Sequence, residues 1–283
     1  IGAGVSESTD QHVHIKETPG FNIGAAGQPP KCRNSLHSHR TAEVFFVLKG
    51  RWRFFWGQLG TAGEVVLEEG DIFNIPTGIF RGFENIGADY GMLMAILGGD
   101  DAGGGVIWAP QVIEDASSHG LLLAENGRLY NTKAGESLPY NLSPMPLLTR
   151  VELEAFPELT TKEVVPNHVA RYWDMVSLSD QQPAKVIGEE AILIDRPGFE
   201  VEFLTRHSIH DIPQKNNRHN ILMGMKGYWL VDWKFGKVTL APGDTLAIPP
   251  NLTYNLTATM SGETSLFRIL NTDDPAGASG RLI

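Results

Sequence analysis

One cysteine in 283 residues, Cys32, excludes an internal disulfide framework. A chain without such staples suits a reducing compartment, so a cytoplasmic location is expected, and nothing around Cys32 marks it as a nucleophile. Basic residues are in deficit. The 23 Lys and Arg against 33 Asp and Glu give a formal net charge of −10, which argues against a nucleic-acid or anionic-membrane surface as partner. No apolar run approaches the roughly 18 residues that a membrane helix needs. Helical patterning is also scarce: the best candidate is Pro110 to His119, with Pro110 in the first turn, Val112, Ile113 and Ala116 as its apolar stripe, and Gly120 as its stop.

What the chain has in abundance is turns. Its 31 Gly and 17 Pro separate short runs rich in Val, Ile, Phe, Leu and Trp, such as Glu43 to Leu48, Trp52 to Trp56, Met92 to Leu97, Ala191 to Asp195 and Tyr228 to Trp233. Short strands between turns predict an all-β sandwich or barrel. The two halves repeat each other. Lys49-Gly50-Arg51-Trp52 matches Lys226-Gly227-Tyr228-Trp229, and Val65, Leu67, Gly70, Asp71, Ile75, Pro76 match Val238, Leu240, Gly243, Asp244, Ile248, Pro249 at the same spacing. The offset changes from 227 − 50 = 177 to 243 − 70 = 173, so a hairpin between the two matches is four residues shorter in the second copy. The Gly-rich stretch Gly98 to Gly105 leads out of the first half. The expected organisation is an N-terminal barrel over 1–109, a linker with a short helix and Pro-rich coil over 110–165, and a C-terminal barrel over 166–283.

His37-Ser38-His39 is followed by Glu43. Residues i and i+2 of a strand face the same side, so both imidazoles project into one space and a short turn can return the carboxylate to it. Two imidazoles and a carboxylate leave open positions on Fe(II), and the same set suits Mn, Zn, Ni or Co.

The run Leu36-His37-Ser38-His39-Arg40-Thr41-Ala42-Glu43-Val44-Phe45-Phe46-Val47-Leu48-Lys49-Gly50 resembles the first motif of the cupins, and Gly70 to Asn85 resembles the second. The resemblance implies an all-β double-stranded β-helix, or jelly roll, occurring twice: a bicupin. It assigns His37, His39 and Glu43 as metal ligands, with Fe(II) the foremost expectation. The family's fourth ligand is a histidine, and here that place holds Arg81, which has no lone pair to give a metal. Arg81 either pairs with Glu43 in a buried ion pair or turns aside to hold an acidic substrate group, which would make it a catalytic residue. The equivalent places of the second copy hold Gln214, Asn216, Asn220 and Tyr254, so the C-terminal barrel is expected to hold no metal, although such a polar ring could take a small ligand.

Trp52, Phe54 and Trp56 share a face by alternation, and Phe45 and Val47 continue the parity of Glu43. These residues either fill the barrel core or form an aromatic substrate-binding wall beside the metal. The remaining histidines carry blander readings: His12 and His14 on a surface strand, His207 and His210 structural, His119 capping its helix, and His219 on the opposite strand face from Asn220. Two functions stay open. One is a metal-dependent, dioxygenase-like oxidoreductase of the gentisate or quercetinase type acting on a small aromatic or acidic substrate, with isomerase or decarboxylase chemistry as variants. The other is a metal-free binding or structural module. A homodimer or larger assembly is expected, because jelly-roll edges need covering.

Overall fold

The structure is a computed structural model that describes residues 13–16, 20–98, 106–193, 198–209 and 213–272. His12, the stretch 99–105, Asp195 and His210 lie outside the described residues. The chain forms two jelly-roll barrels of antiparallel strands. In the first barrel, one sheet runs in the order Phe21–Gln28, Gly91–Gly98, Glu43–Lys49, Ile72–Ile75, Val169–Ala170. The other runs Gly63–Leu67, Trp52–Trp56, Arg81–Asn85, His37–His39, Val106–Trp108. The second barrel repeats the plan, with Ala184–Ile187, Phe199–Thr205, Ser265–Asn271, Asn220–Lys226 and Thr245–Ile248 in one sheet. Its other sheet holds Gln214–Lys215, Thr253–Ala258, Trp229–Trp233 and Gly236–Leu240.

The repeat seen in the sequence is therefore a repeat of strands. The hairpin loop after Trp56 spans 57–62, six residues, whereas the one after Trp233 spans 234–235, two residues, which accounts for the four-residue difference. One predicted strand is corrected in its described part. Residues 191–193 form no strand, Ile194 and Asp195 lying outside the described residues; Leu193 makes an isolated parallel bridge to Ile187 and is fully buried. Val169–Ala170, in the stretch read above as C-terminal, pairs with Ile72–Phe73 of the first barrel.

Strand Glu43–Lys49 is apolar in both parities because both of its faces are buried. Phe45 and Val47 face the interior of the first barrel, while Val44 and Phe46 join a core shared with Val201, Phe203, Ile221, Met223, Phe267 and Ile269 of the second. Phe46 meets Phe267 edge to face at 5.0 Å. The turns around this shared core are tight. A Cβ on Gly70 (φ +92°) would lie 2.1 Å from the Tyr172 ring, and its counterpart Gly243 (φ +90°) lies against Leu48 of the other barrel.

The connecting segment carries the expected helix, Pro110–Ser118, with Pro110 at its start. His119 caps it, donating from Nδ1 to the Asp115 carbonyl at 2.8 Å. Two further short helices, Arg150–Glu154 and Thr161–His168, begin at capping boxes, Thr149 with Glu152 and Thr160 with Glu163. The helix Tyr172–Leu178 then sits between the barrels. Asp71 accepts from the Tyr172 amide at 2.9 Å and from Arg171 at 2.7 Å, and the Tyr172 hydroxyl reaches Glu263 at 2.5 Å.

Candidate metal centre

Strand His37–His39 lies between Arg81–Asn85 and Val106–Trp108, and its register places His37 opposite both Arg81 and Trp108. The alternation argument holds: the His37 and His39 rings lie 5.1 Å apart, nearly perpendicular, and both are buried. Glu43 returns on the first residue of the next strand. One ligand atom from each of His37, His39 and Glu43 lies within 4.8 Å of the others. The Nδ1–H of His37 donates to the Ser35 carbonyl at 2.8 Å, which fixes the tautomer and leaves Nε2 with a lone pair.

Arg81 closes the other side of the cluster. Its Nε donates to Glu43 Oε2 at 3.0 Å, a terminal nitrogen donates to the same oxygen, and the other terminal nitrogen donates to the His37 carbonyl at 2.9 Å. Both side chains are buried. Burial works to raise the Glu43 carboxyl, but the charge of Arg81 and the two imidazoles outweighs it and holds the group below the usual carboxylate range. His37 is pushed down to about 3, first by burial and then by Arg81, against the opposing pull of Glu43, so its imidazole is neutral. The gap bounded by His39, Thr41, Glu43, Ile75, Ile79 and Arg81 has no room for a water molecule.

The aromatic residues take the core place and not the wall. Phe45, Val47, Trp52, Phe54 and Trp56 are essentially inaccessible, and their rings interlock: Phe45 with Phe54 and Phe83 at 5.2 Å, Phe54 with Phe73 at 5.4 Å, Trp56 with Phe73 at 5.7 Å. The indole N–H of Trp52 is used by the Lys49 carbonyl, and that of Trp56 by the Leu159 carbonyl. None of the five borders the gap beside Arg81, where Ile75, Pro76 and Ile79 stand. Ser35 and Trp108, whose ring lies 5.4 Å from that of His37, were not legible as site residues. A serine two residues before a histidine and a strand some seventy residues downstream carry no pattern of their own.

Residues 27–97 match the family described as the cupin domain. Among solved structures, salicylate 1,2-dioxygenase from Pseudaminobacter salicylatoxidans superposes with a TM-score of 0.54 at 16% identity, over 91% of this chain and 72% of that one. The oxalate decarboxylase of Lactobacillus farciminis, in its formate complex, superposes with a TM-score of 0.55 at 12% identity, over 93% and 84%. The chain has the two-barrel cupin fold, with a cupin domain over residues 27–97. At these identities the superpositions speak for the fold alone. No curated protein matches the sequence.

In the first barrel the donor set fits a divalent cation. Two buried imidazoles, that of His37 neutral and tied through its second nitrogen to a backbone carbonyl, and one ionised carboxylate come together, the donor types of a 2-His-1-carboxylate set. Both guanidinium bonds to Glu43 fall on Oε2, so Arg81 can hold the carboxylate by one oxygen while the other, Oε1, completes the set. The cost is a fixed positive charge beside the ion.

The second barrel has none of this chemistry at the corresponding places. Asn216 is a turn residue whose Oδ1 accepts from the Arg218 amide, Asn220 is buried, and Gln214 and Tyr254 face each other across one strand pair.

Proposed function

We propose that the protein is a metal-dependent cupin enzyme, a dioxygenase-like oxidoreductase acting on a small aromatic or acidic substrate, with His37, His39 and Glu43 as the ligands of one divalent metal in the first barrel. The observation that carries this reading is the convergence of the three donors within 4.8 Å, with His37 pre-set to offer Nε2. Fe(II) suits the set best, and Mn, Zn, Ni or Co are alternatives for the same donors. When bound, such an ion supplies Lewis acidity and, for iron, redox exchange with oxygen. The chain's own contributions are distinct from that. Ser35 orients His37, Arg81 keeps Glu43 ionised and aimed, and the apolar residues Ile75 and Ile79 keep bulk water out. Among the described residues Arg81 also supplies the only guanidinium bordering the gap, the natural anchor for an acidic substrate group once it turns from Glu43. We place the enzyme in the cytoplasm, as a homodimer or larger.

A second reading is favoured by one specific feature: Arg81 balances the charge of Glu43 without an ion, and the gap beside the pair is closed. In that reading the guanidinium replaces the metal, and the protein is a metal-free binding or structural bicupin. Elemental analysis after anaerobic reconstitution with Fe(II) separates the two. Stoichiometric metal that disappears when His37 and His39 are both changed to Ala supports the enzyme. Absence of metal from the parent, or metal content that survives the double change, rejects it.

A further inference from the structure

The second barrel carries its own polar cluster, built from different strand positions. Arg268 donates from Nε to Glu202 Oε2 at 2.7 Å and from Nη1 to Gln214 Oε1 at 3.1 Å, and it hydrogen-bonds the Tyr254 side chain. The cross-strand registers place these groups. Glu202 lies directly opposite Arg268, and Leu222 lies opposite Arg268 on the other side, so Asn220, two residues from Leu222, is its diagonal neighbour on the same face. That face is the barrel interior, since Leu204, Leu222 and Leu266 belong to the second barrel's core. On the facing sheet, Trp233, Tyr254 and Gln214 form one row across three strands. Tyr254 packs in the same core, and Trp233 is half-buried against it.

Two features mark the cluster between these sheets as more than packing. The Asn220 side chain is 1% exposed; its amide nitrogen donates to the Arg218 carbonyl, while its Oδ1 is buried with no hydrogen-bond partner. A buried acceptor left without a donor costs free energy, and native proteins keep one where a ligand or an ordered water supplies the donor. The cluster is also not sealed, since the Glu202 side chain is 26% exposed and that of Arg268 11%.

We propose that the mouth of the C-terminal barrel is a second ligand site, specific for a small neutral hydroxyl-rich molecule such as a monosaccharide or cyclic polyol. Charge selects neutrality. Glu202 already balances Arg268, so a carboxylate ligand meets an anion on the same guanidinium, and a cationic ligand meets the guanidinium itself. Hydroxyl groups serve both kinds of partner, donating to Asn220 Oδ1 and accepting from Arg268 or the Tyr254 hydroxyl. Trp233, half-buried at the end of this row, is the aromatic ring that the C–H face of a sugar would stack on. The site is independent of any metal in the first barrel.

The test is calorimetry and ligand-observed NMR on the full chain, with D-glucose, myo-inositol and acetate as separate probes. Saturable millimolar binding of a neutral probe is expected, with acetate inert, and the His37→Ala/His39→Ala variant should bind equally well. Tyr254→Phe and Trp233→Ala should each weaken binding by about tenfold, the scale of one lost hydrogen bond or stacking contact. Asn220→Leu guards against misfolding: it fills the same space without an orphan acceptor, so binding falls while thermal stability holds or rises. No saturable binding of either neutral probe, binding of acetate in preference to them, or affinities unchanged in Asn220→Leu and Tyr254→Phe would each overturn the proposal.

Discussion

Arg81 and Arg268 stand on non-equivalent strands of the two barrels, yet each guanidinium grips one glutamate inside its own barrel through Nε and a terminal nitrogen on a single carboxylate oxygen. By register, the place of Arg81 is taken in the second barrel by Tyr254. Glu43 lies opposite Leu97 as Asn220 lies opposite Leu270, so Arg268 corresponds to Ala95. Each barrel carries an ion pair on an inward-facing strand position, and the repeat does not preserve where it sits. The two pairs differ in sealing, because Arg81 and Glu43 are nearly inaccessible whereas Glu202 reaches solvent.

That difference sets the first prediction. Arg81→Ala leaves Glu43 buried without its counter-ion and should lower unfolding stability by about 3–5 kcal/mol. The equivalent truncation Arg268→Ala should cost clearly less, because water can reach Glu202. Urea denaturation of both variants checks the order; equal losses would mean that sealing is not what makes the first pair costly.

A second prediction concerns acid. The His37 imidazole sits at about 3 in the folded protein against an ordinary value of 6.5, so between those pH values the unfolded chain binds a proton that the folded one refuses. Stability should therefore fall as pH drops through this window, by about 1.4 kcal/mol per unit from this group alone. Glu43, held below the usual carboxylate range, adds a further loss that begins below about 4.5, where the unfolded carboxyl takes up a proton and the folded one refuses it, and is complete once the folded group protonates too. Denaturation of the metal-free protein at a series of pH values, repeated for His37→Gln, tests the assignment. The variant should lose the slope between about 6.5 and 4.5; an unchanged slope would assign it elsewhere.

The legible and illegible parts of the molecule divide along physical lines. Strands, the repeat and the shorter second hairpin are local in sequence, and turn glycines at fixed spacing announce them. His37, His39 and Glu43 share one space for the same reason, a two-residue period followed by one turn. Whether Arg81 turns toward Glu43 depends on a side-chain rotamer reaching between two different sheets of the barrel, which no spacing encodes. The aromatic run Trp52 to Trp56 left core and wall open because both place the rings inside; only the absence of a gap beside them decides. Arg268 with Glu202 was not found at all. Their partnership is a cross-strand register between residues 66 apart, and neither occupies a motif position.

The shared core between the barrels gives a third prediction. Phe46 belongs to the first barrel's strand but packs its ring on Phe267 of the second, so Phe46→Ala should cost about 3–5 kcal/mol and should loosen both halves together. Hydrogen exchange read separately for strands Gly91–Gly98 and Ser265–Asn271 checks the coupling. Faster exchange confined to the first strand would mean that the barrels are stabilised independently.

The last prediction turns on Arg81→His, which places a fourth nitrogen donor where the guanidinium stands and removes the fixed charge that opposes a cation. If His37, His39 and Glu43 already hold a metal in the parent, the variant should keep about one equivalent per chain. It should bind that metal more tightly, because repulsion is lost and a ligand is gained, and a chelator should strip it more slowly. Its coordination should change from three protein donors to four, visible in the electronic spectrum of the Co(II)-loaded protein. Activity should fall even so, because a position otherwise open to substrate is then occupied. If instead the guanidinium has replaced the metal, the parent shows no stoichiometric metal and the variant acquires it. Stability separates the cases a second time: added metal should raise the melting temperature of parent and variant alike in the first case, and of the variant alone in the second.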